Sequence, residues 1–452
     1  MSAATHKPSS AVVVGLGRTG LSCVRYLRER GWRLAVTDTR PEPPQLAALR
    51  ALDPQIPLRL GALDARLLDD ALCVIVSPGV SLEEPFFAAA RRRGLEIVGD
   101  IELFARAVDA PVAGITGTNG KSTVTTLVGR MAARAGVKVR VGGNLGEPAL
   151  DLLAAPHEAG ETVELYVLEL SSFQLEATHS LHLAAGAVLN VSPDHLDRYA
   201  SVAAYAEAKA RIFARCDTAV INLDDPLVVT MPRSGQRTLS FSLRPASGAD
   251  YALGVRDDNA WLMRRGEPLL PVSALRIRGL HNAANALAAL ALGEALGLPL
   301  PAMLAELEAF TGLSHRTQWV ADVAGVAYID DSKGTNVGAT IAAVAGMAGP
   351  LVIIAGGDGK NQDFGPLAAA FRGKVRHTVL IGRDGRLVGE ALRGVCTTEY
   401  CTSLEDAVRA AAAGARPGDT VLLSPACASL DMFRDYSHRG AVFAQAVQEL
   451  AA

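Results

Sequence analysis

The sequence lacks most features that would tie a chain to a polyanion, a membrane or a structural metal. With 44 Lys+Arg against 47 Asp+Glu, the net charge is only −3. Such a balance gives no general pull toward nucleic acid or an anionic lipid surface. No apolar run is long enough to span a bilayer. The opening residues, MSAATHKPSS, are polar, so no signal peptide is expected. Six cysteines (Cys23, Cys73, Cys216, Cys396, Cys401 and Cys427) show no paired metal-ligand spacing. They read as reduced, mostly buried thiols of a cytoplasmic protein. Internal repeats and low-complexity tracts are missing too. What the chain does have is length and apolar content: 452 residues, 49% of them hydrophobic. That predicts two to four packed domains.

The most telling stretch is GITGTNGKST, residues 114–123. It follows the apolar PVA and precedes a helix-like run, VTTLVGRMAARAG. A glycine-rich turn from strand to helix presents backbone N–H groups at the positive end of the helix, a ready cradle for phosphate. Lys121 supplies a point charge for the outer phosphates, and Ser122 stands where a hydroxyl ligand to magnesium is usual. The general phosphate-loop pattern wants glycine where Ile115 sits, with Gly114 one position early. The order of strand, turn, lysine, hydroxyl and helix still predicts a nucleoside triphosphate site.

Apolar strands ending in polar loops alternate with helices along the whole chain, which predicts an α/β protein with parallel sheets covered on both faces. Three segments are expected: 1–99, 100–312 and 313–452. In the first, AVVVG, WRLAVTD and ALCVIVSPG read as strands. In the second, ELYVLELSS, AAGAVLNVSPDHLD and TAVINLDDP do. Residues 231–279 look like a variable antiparallel insertion containing YALGV, NAWLM and ALRIRG. The third segment holds four strand-then-loop units, VAYIDDSKGTN, LVIIAGGDGKN, HTVLIGRDG and DTVLLSPACASL. Ligands of such sheets sit beyond the carboxyl ends of the strands.

Near the N-terminus, Gly15, Gly17 and Gly20 follow a strand and open a helix, and Asp38 ends the next strand. This is the dinucleotide-binding spacing. Alone it fits a nicotinamide cofactor, a sugar nucleotide with its own pyrophosphate, or tight packing with no ligand.

Together, GTNGKST, LELSSFQLE, LNVSPDHLDRY, HNAANALAAL, SHRTQWV, DDSKGTN, GGDGKNQDF and LLSPACASLDMF resemble the Mur ligases over essentially the whole chain. Within that family the resemblance is strongest to the branch that joins D-glutamate to UDP-N-acetylmuramoyl-L-alanine. It implies a Rossmann-like N-terminal domain for the UDP substrate, a central ATPase-like domain, and a Rossmann-like C-terminal domain for the amino acid. It also implies ATP and two magnesium ions, and an acyl-phosphate intermediate. The expected partners are the two substrates, with no nucleic acid, no membrane insertion and a monomeric state.

Residue by residue, the resemblance assigns the ATP phosphates to Gly117, Thr118, Asn119, Gly120, Lys121, Ser122 and Thr123. Backbone amides of Thr118, Asn119 and Gly120 are expected to help. Glu169 and His195 become magnesium ligands beside Ser122. Lys209 in AEAKARIF reads, from sequence alone, as a solvated helix lysine; the resemblance instead makes it carbamylated and metal-facing. Asn282 and Asn285, one turn apart on a helix opened by His281, meet adenine, although Asn282 would also serve as a helix cap. Arg316 contacts ATP phosphate, and Asp331 the ribose. Lys333, Thr335 and Lys360 take the side-chain carboxylate of D-glutamate and charge at the reacting centre. Ser429, Leu430 and Tyr436 (a position where Phe also occurs) line the far side.

For the UDP moiety the matching positions are Arg18, Thr19, Asp38, Thr39, Arg40, Ser77 and Gly79. Asn144 is expected on the diphosphate or sugar side. Arg18 departs from the apolar residue expected there. A ligase for another amino acid, an NAD-linked oxidoreductase with an ATP-binding insert, and a nucleotide-gated binding protein remain the alternatives. Domain closure is expected, with hinges near 99–111 and 312–316.

Overall fold

Short apolar runs ended by glycine or an acidic residue become the strands of three separate sheets. The computed structural model describes residues 9–159, 162–277, 279–347 and 349–451. The first sheet has five parallel strands in the spatial order Leu58–Leu60, Arg33–Asp38, Ser10–Val14, Cys73–Val76 and Glu96–Val98. Its central strand is buried along its whole length, as expected when helices cover both faces. The helix Arg18–Glu29 follows directly. It packs so closely that a Cβ on Gly20 would lie 1.9 Å from the Gly15 carbonyl oxygen. A Cβ on Gly17 would meet nothing within 4 Å.

The second sheet has nine strands. From one edge they run Glu267–Pro271, Asn259–Arg264, Tyr251–Arg256, Arg237–Ser242, Cys216–Asn222, Leu183–Val188, Val112–Thr116, Leu165–Glu169 and Val139–Gly143. The region expected as an antiparallel insertion is the edge of this sheet. Arg237–Ser242 pairs parallel to Cys216–Asn222, and Tyr251–Arg256 continues parallel before two antiparallel pairings close the edge. The expected strand ALRIRG does not form. A short 3-10 turn, Val272–Ala274, takes up its first residue, Leu275 and Ile277 fold into the core under the helix Leu280–Ala295, and Arg278 lies outside the described residues.

The third sheet has six strands in the order Gln318–Val323, Val326–Asp330, Thr420–Leu423, Leu351–Gly356, Val375–Ile381 and Thr397–Tyr400. Four matched the sequence reading. Gln318–Val323 was not expected. It pairs antiparallel with Val326–Asp330 through a tight turn at Ala324 and Gly325, both at positive φ. Thr397–Tyr400 is the other addition, a mostly exposed edge strand.

The cores divide unevenly. One cluster joins the first and second sheets: Val13, Val36 and Ile75 pack in the same set as Val112, Leu150 and Leu168. The helix Asp100–Ala105 places Ile101, Leu103 and Phe104 inside that shared cluster. The segment 99–111, expected to hinge, is therefore packed. The two clusters flanking the third sheet draw only on residues 320–450.

Candidate active site

The strand Val112–Thr116 turns through Gly117 and Gly120 into the helix Lys121–Arg134. Gly120 caps that helix at φ +83°, and a Cβ there would lie 2.3 Å from Asn285 Oδ1. Glycine is required on both counts. The first bond inside the helix is Val124 N–H to Gly120 O, 3.0 Å. The amides of Lys121, Ser122 and Thr123 precede it and so lack an intrahelical acceptor. Two of the amides assigned to the phosphate clamp point elsewhere. Thr118 N–H donates to Asn190 O at 2.9 Å, and Asn119 N–H to Asn190 Oδ1 at 2.8 Å. These bonds fix the loop and leave the helix-opening amides as the backbone groups that could meet an anion. Lys121 Nζ rests on the carbonyls of Gly117 and Thr118, both at 2.9 Å. Burial and nearby cations, opposed by Glu169 and Asp194, hold its pKa below the ordinary lysine value.

Glu169 ends the strand Leu165–Glu169 and is 3% exposed. It accepts from Ser122 Oγ, and from Asn144 Nδ2 at 2.7 Å. Asn144, expected on the sugar nucleotide, thus orients this carboxylate. Burial raises the Glu169 pKa, but the Lys121 charge and the Ser122 and Asn144 bonds outweigh it, so the group stays ionised. Arg316, from the third domain, reaches Ser122 Oγ at 2.6 Å.

His195 lies at φ +55° beside Asp194. Its ring sits among Phe173 and Tyr205, 5.0 and 6.1 Å between centroids. Burial lowers its pKa, which favours the neutral imidazole that can ligate a cation. Lys209, expected from sequence to be solvated, is 1% exposed. Its Nζ donates to Gly117 O at 2.9 Å and lies over the Tyr205 ring. Burial, then the neighbouring Lys121, pushes its pKa well down. Two lysines therefore share one carbonyl, a crowding that an anionic Lys209 would relieve.

The donor set suits magnesium in part. An ionised carboxylate and a hydroxyl, already bonded to each other, are the hard oxygen ligands that ion prefers. Among the described residues no group of three or more His, Cys, Asp and Glu is arranged to hold a metal. The remaining ligands would come from phosphate and water.

A cavity of about 550 Å³ opens beside the phosphate loop between the second and third domains. Asn119, Asn282, Asn285, Arg316 and Asp331 line it. Asn285 Nδ2 donates to Asn282 Oδ1 at 3.1 Å. Asn282 is not a cap: Gly279 holds that position, and Asn282 lies inside the helix. Asp331 follows the strand Val326–Asp330 and accepts from Thr317 N–H and Ser424 Oγ. Its burial pushes the carboxyl up to about 7.

Lys333 Nζ lies 3.9 Å from the centre of the Tyr436 ring, and burial pushes it down to about 8. Thr335 is half-buried in the same loop, Ser429 is buried and Leu430 is 71% exposed. Lys360 Nζ crosses to Asp194 Oδ1 at 2.6 Å. Strained backbone gathers here: His195, His315, Thr317, Lys360 and Asn361 all hold positive φ.

Sequence reasoning missed four polar anchors. Asn190 fixes the phosphate loop, Asp194 receives Lys360, and Asn336 bridges to Asn119 and Asp194. Arg439, fully buried, binds Ser332 and the Cys427 carbonyl and so fixes the DDSKGTN loop. Asn190, Asp194 and Asn336 lay within quoted motifs; Arg439 sits in a helix with no motif to mark it.

The UDP set lies apart, at the carboxyl ends of the first sheet. Asp38 Oδ2 accepts the Leu16 amide at 2.6 Å, and Arg40 grips both carboxylate oxygens. Ser77 Oγ donates to Gly15 O at 2.8 Å, pinning the glycine turn. Thr39 and Gly79 are exposed, and Thr19 is half-buried. Arg18 donates to Gly146 O in the central domain, 3.0 Å away.

Family models match the chain in three consecutive blocks. They are the Mur ligase MurD-like N-terminal domain over residues 9–99, the Mur ligase middle domain over 115–293, and the Mur ligase glutamate ligase domain over 315–427. The chain is 52% identical to the UDP-N-acetylmuramoylalanine–D-glutamate ligase of Methylococcus capsulatus, covering 98% of this chain and 95% of that protein. The enzyme of the same name from Pseudomonas aeruginosa is also 52% identical, over 97% and 98%. Among solved structures, UDP-N-acetylmuramate–alanine ligase from Thermotoga maritima shares the fold at TM-score 0.62 and 20% identity, covering 97% of this chain and 99% of that one. MurF from Acinetobacter baumannii does so at 0.59 and 17%, over 98% and 92%. With three domain models in order and half of all residues shared with full-length relatives, the chain belongs to the Mur ligase family, alongside its UDP-N-acetylmuramoylalanine–D-glutamate ligases.

Proposed function

We infer that this chain is an ATP-dependent amide ligase that adds D-glutamate to UDP-N-acetylmuramoyl-L-alanine in peptidoglycan precursor synthesis. The observation that carries the reading is the likeness at 52% identity over nearly the whole chain, third domain included. The limits 1–99, 100–312 and 313–452 are proposed for the UDP, ATP and amino-acid domains. All three sites come from one chain, which fits a monomer. ATP and a UDP-sugar as substrates fit a cytoplasmic enzyme.

In this reading the UDP substrate's carboxylate attacks the γ-phosphorus of ATP, giving an acyl phosphate and ADP. The D-glutamate amine then attacks the acyl carbonyl, and phosphate leaves from the tetrahedral adduct. The work is mostly positioning and charge neutralisation. Lys121 and the amides opening its helix, with Ser122 and Thr123, hold the β- and γ-phosphates. Arg316 adds charge from the third domain. Asn282 and Asn285 hold adenine, and Asp331 the ribose. Lys333, Thr335 and Lys360 hold the glutamate side chain and stabilise charge at the reacting centre. Ser429, Leu430 and Tyr436 close the amino-acid pocket. Arg18, Thr19, Asp38, Thr39, Arg40, Ser77 and Gly79 serve the UDP moiety.

Ser122 and Glu169 would hold one magnesium ion, and His195 with a carbamylated Lys209 would orient a second. Bound there, magnesium would offset the repulsion between carboxylate and phosphate. Burial of Lys209 supports the carbamate, because it favours the neutral amine that combines with carbon dioxide.

The test is phosphate release with ATP, UDP-N-acetylmuramoyl-L-alanine and D-glutamate, omitting each in turn. Release is expected only with all three, and Lys121→Ala is expected to lower it by about 10³-fold. Turnover that ignores D-glutamate but responds to another amino acid would overturn the assignment.

A further inference from the structure

We propose that Asn336 is a positioning residue whose side-chain amide latches the third domain onto the phosphate loop of the second. The inference rests on the ligase reading above, because it concerns how the amino-acid domain is set over the ATP site. Asn336 is 3% exposed and caps the helix Val337–Gly346. Its Oδ1 accepts the Ala339 amide at 2.8 Å, which fixes the rotamer. That leaves the Nδ2 hydrogens aimed at the central domain. They reach Asn119 Oδ1 at 3.2 Å and Asp194 Oδ2 at 3.1 Å. Asn119 Nδ2 returns a longer bond, 3.4 Å, to Asn336 Oδ1. One carboxamide thus uses both its donors and its acceptor.

Its partners are themselves held. The Asn119 backbone is bonded at both N–H and C=O by the Asn190 side chain. Asp194 is engaged by Lys360. The approach is close as well: a Cβ on Gly338 would lie 3.0 Å from Ser192 Oγ. Serine or aspartate would cap this helix about as well. Only an amide also bridges two loops of another domain, and aspartate would set a second carboxylate against Asp194. Asn336 therefore reads the phosphate loop and the His195 loop at once. The same placement of the third domain sets Arg316 on Ser122 and Lys360 on Asp194.

Two substitutions separate the latch from the cap. Asn336→Ser keeps an oxygen for the Ala339 amide and removes the bridge. Asn119→Ala removes the facing amide without touching the helix. Each is expected to lower kcat about tenfold, with the melting temperature and the KM for the UDP substrate nearly unchanged. The double variant should be no slower than either single one. Solution scattering with a non-hydrolysable ATP analogue and the UDP substrate should show wild type compacting and Asn336→Ser remaining extended. Losses that multiply in the double variant, or equal compaction in wild type and Asn336→Ser, would overturn the latch. If wild type releases no phosphate in response to D-glutamate, the ligase reading fails instead, and the scattering comparison still decides the latch.

Discussion

Asp100 sits at the entry to the central domain with one side-chain hydrogen bond, from Gln174 Nε2 to Oδ2 at 2.9 Å. Its other oxygen is buried without a partner among the described residues. Burial pushes the carboxyl up to about 6. A carboxyl whose folded pKa exceeds its unfolded value, near 3.9, holds a proton in the folded state that the unfolded chain releases. Its contribution is fully present below about pH 4 and is lost as pH rises through about 6. Asp100→Asn keeps the acceptor for Gln174 and removes the charge. It is expected to stabilise the protein by up to about 3 kcal/mol at pH 8 and by little at pH 4, read from urea unfolding at both values. An equal gain at the two pH values would reject this account. At this scale the sequence was a partial guide. It marked Glu169 and Lys121, because a strand end and a glycine turn announce them. It left Lys209 looking solvated, since its burial depends on Tyr205 and Gly117 O, the latter 92 residues away.

Among the elements, the first glycine turn separates two roles that its spacing cannot distinguish. Gly20 is fixed by the Gly15 carbonyl, whereas Gly17 faces open space. Gly20→Ala is expected to destabilise by more than about 3 kcal/mol, because backbone, not a flexible side chain, must give way. Gly17→Ala should fold normally, with unfolding midpoints near wild type, yet weaken the UDP substrate in binding titrations. Identical stability losses in the two would contradict the packing argument. The alternating strands and helices were legible because buried parallel strands need continuous apolar runs. The strand Gln318–Val323 was not, since the turn that pairs it with Val326–Asp330, Ala324–Gly325, lacks the Asn-Gly or Asp-Gly signature. The edge of the central sheet was legible in part: the antiparallel pairings over 251–271 formed as expected, but the parallel pairing of the largely polar Arg237–Ser242 was not legible, because it is set by contact with Cys216–Asn222.

For the molecule as a whole, the division of apolar clusters predicts which parts stand alone. The fragment 313–452 contains every residue of the two clusters flanking its sheet. It is expected to unfold cooperatively in urea by circular dichroism, with a slope of about 1–3 kcal/mol/M. The fragment 1–99 loses the central-domain half of its main cluster and is expected to show no cooperative transition. Cooperative folding of both fragments would mean that the shared cluster is dispensable. The same division predicts that large motion is confined to 312–316, since swinging at 99–111 would tear Phe104 from its neighbours.

The independence of the two clusters flanking the third sheet also bears on how such enzymes diversify. A crossover placed just after Leu313 separates no packed side chains within the C-terminal sheet. If that domain selects the amino acid, as proposed, the preference can travel as a cassette. What a hybrid must preserve is the set of polar handshakes across the cleft: Arg316 with Ser122, Lys360 with Asp194, and Asn336 with Asn119 and Asp194.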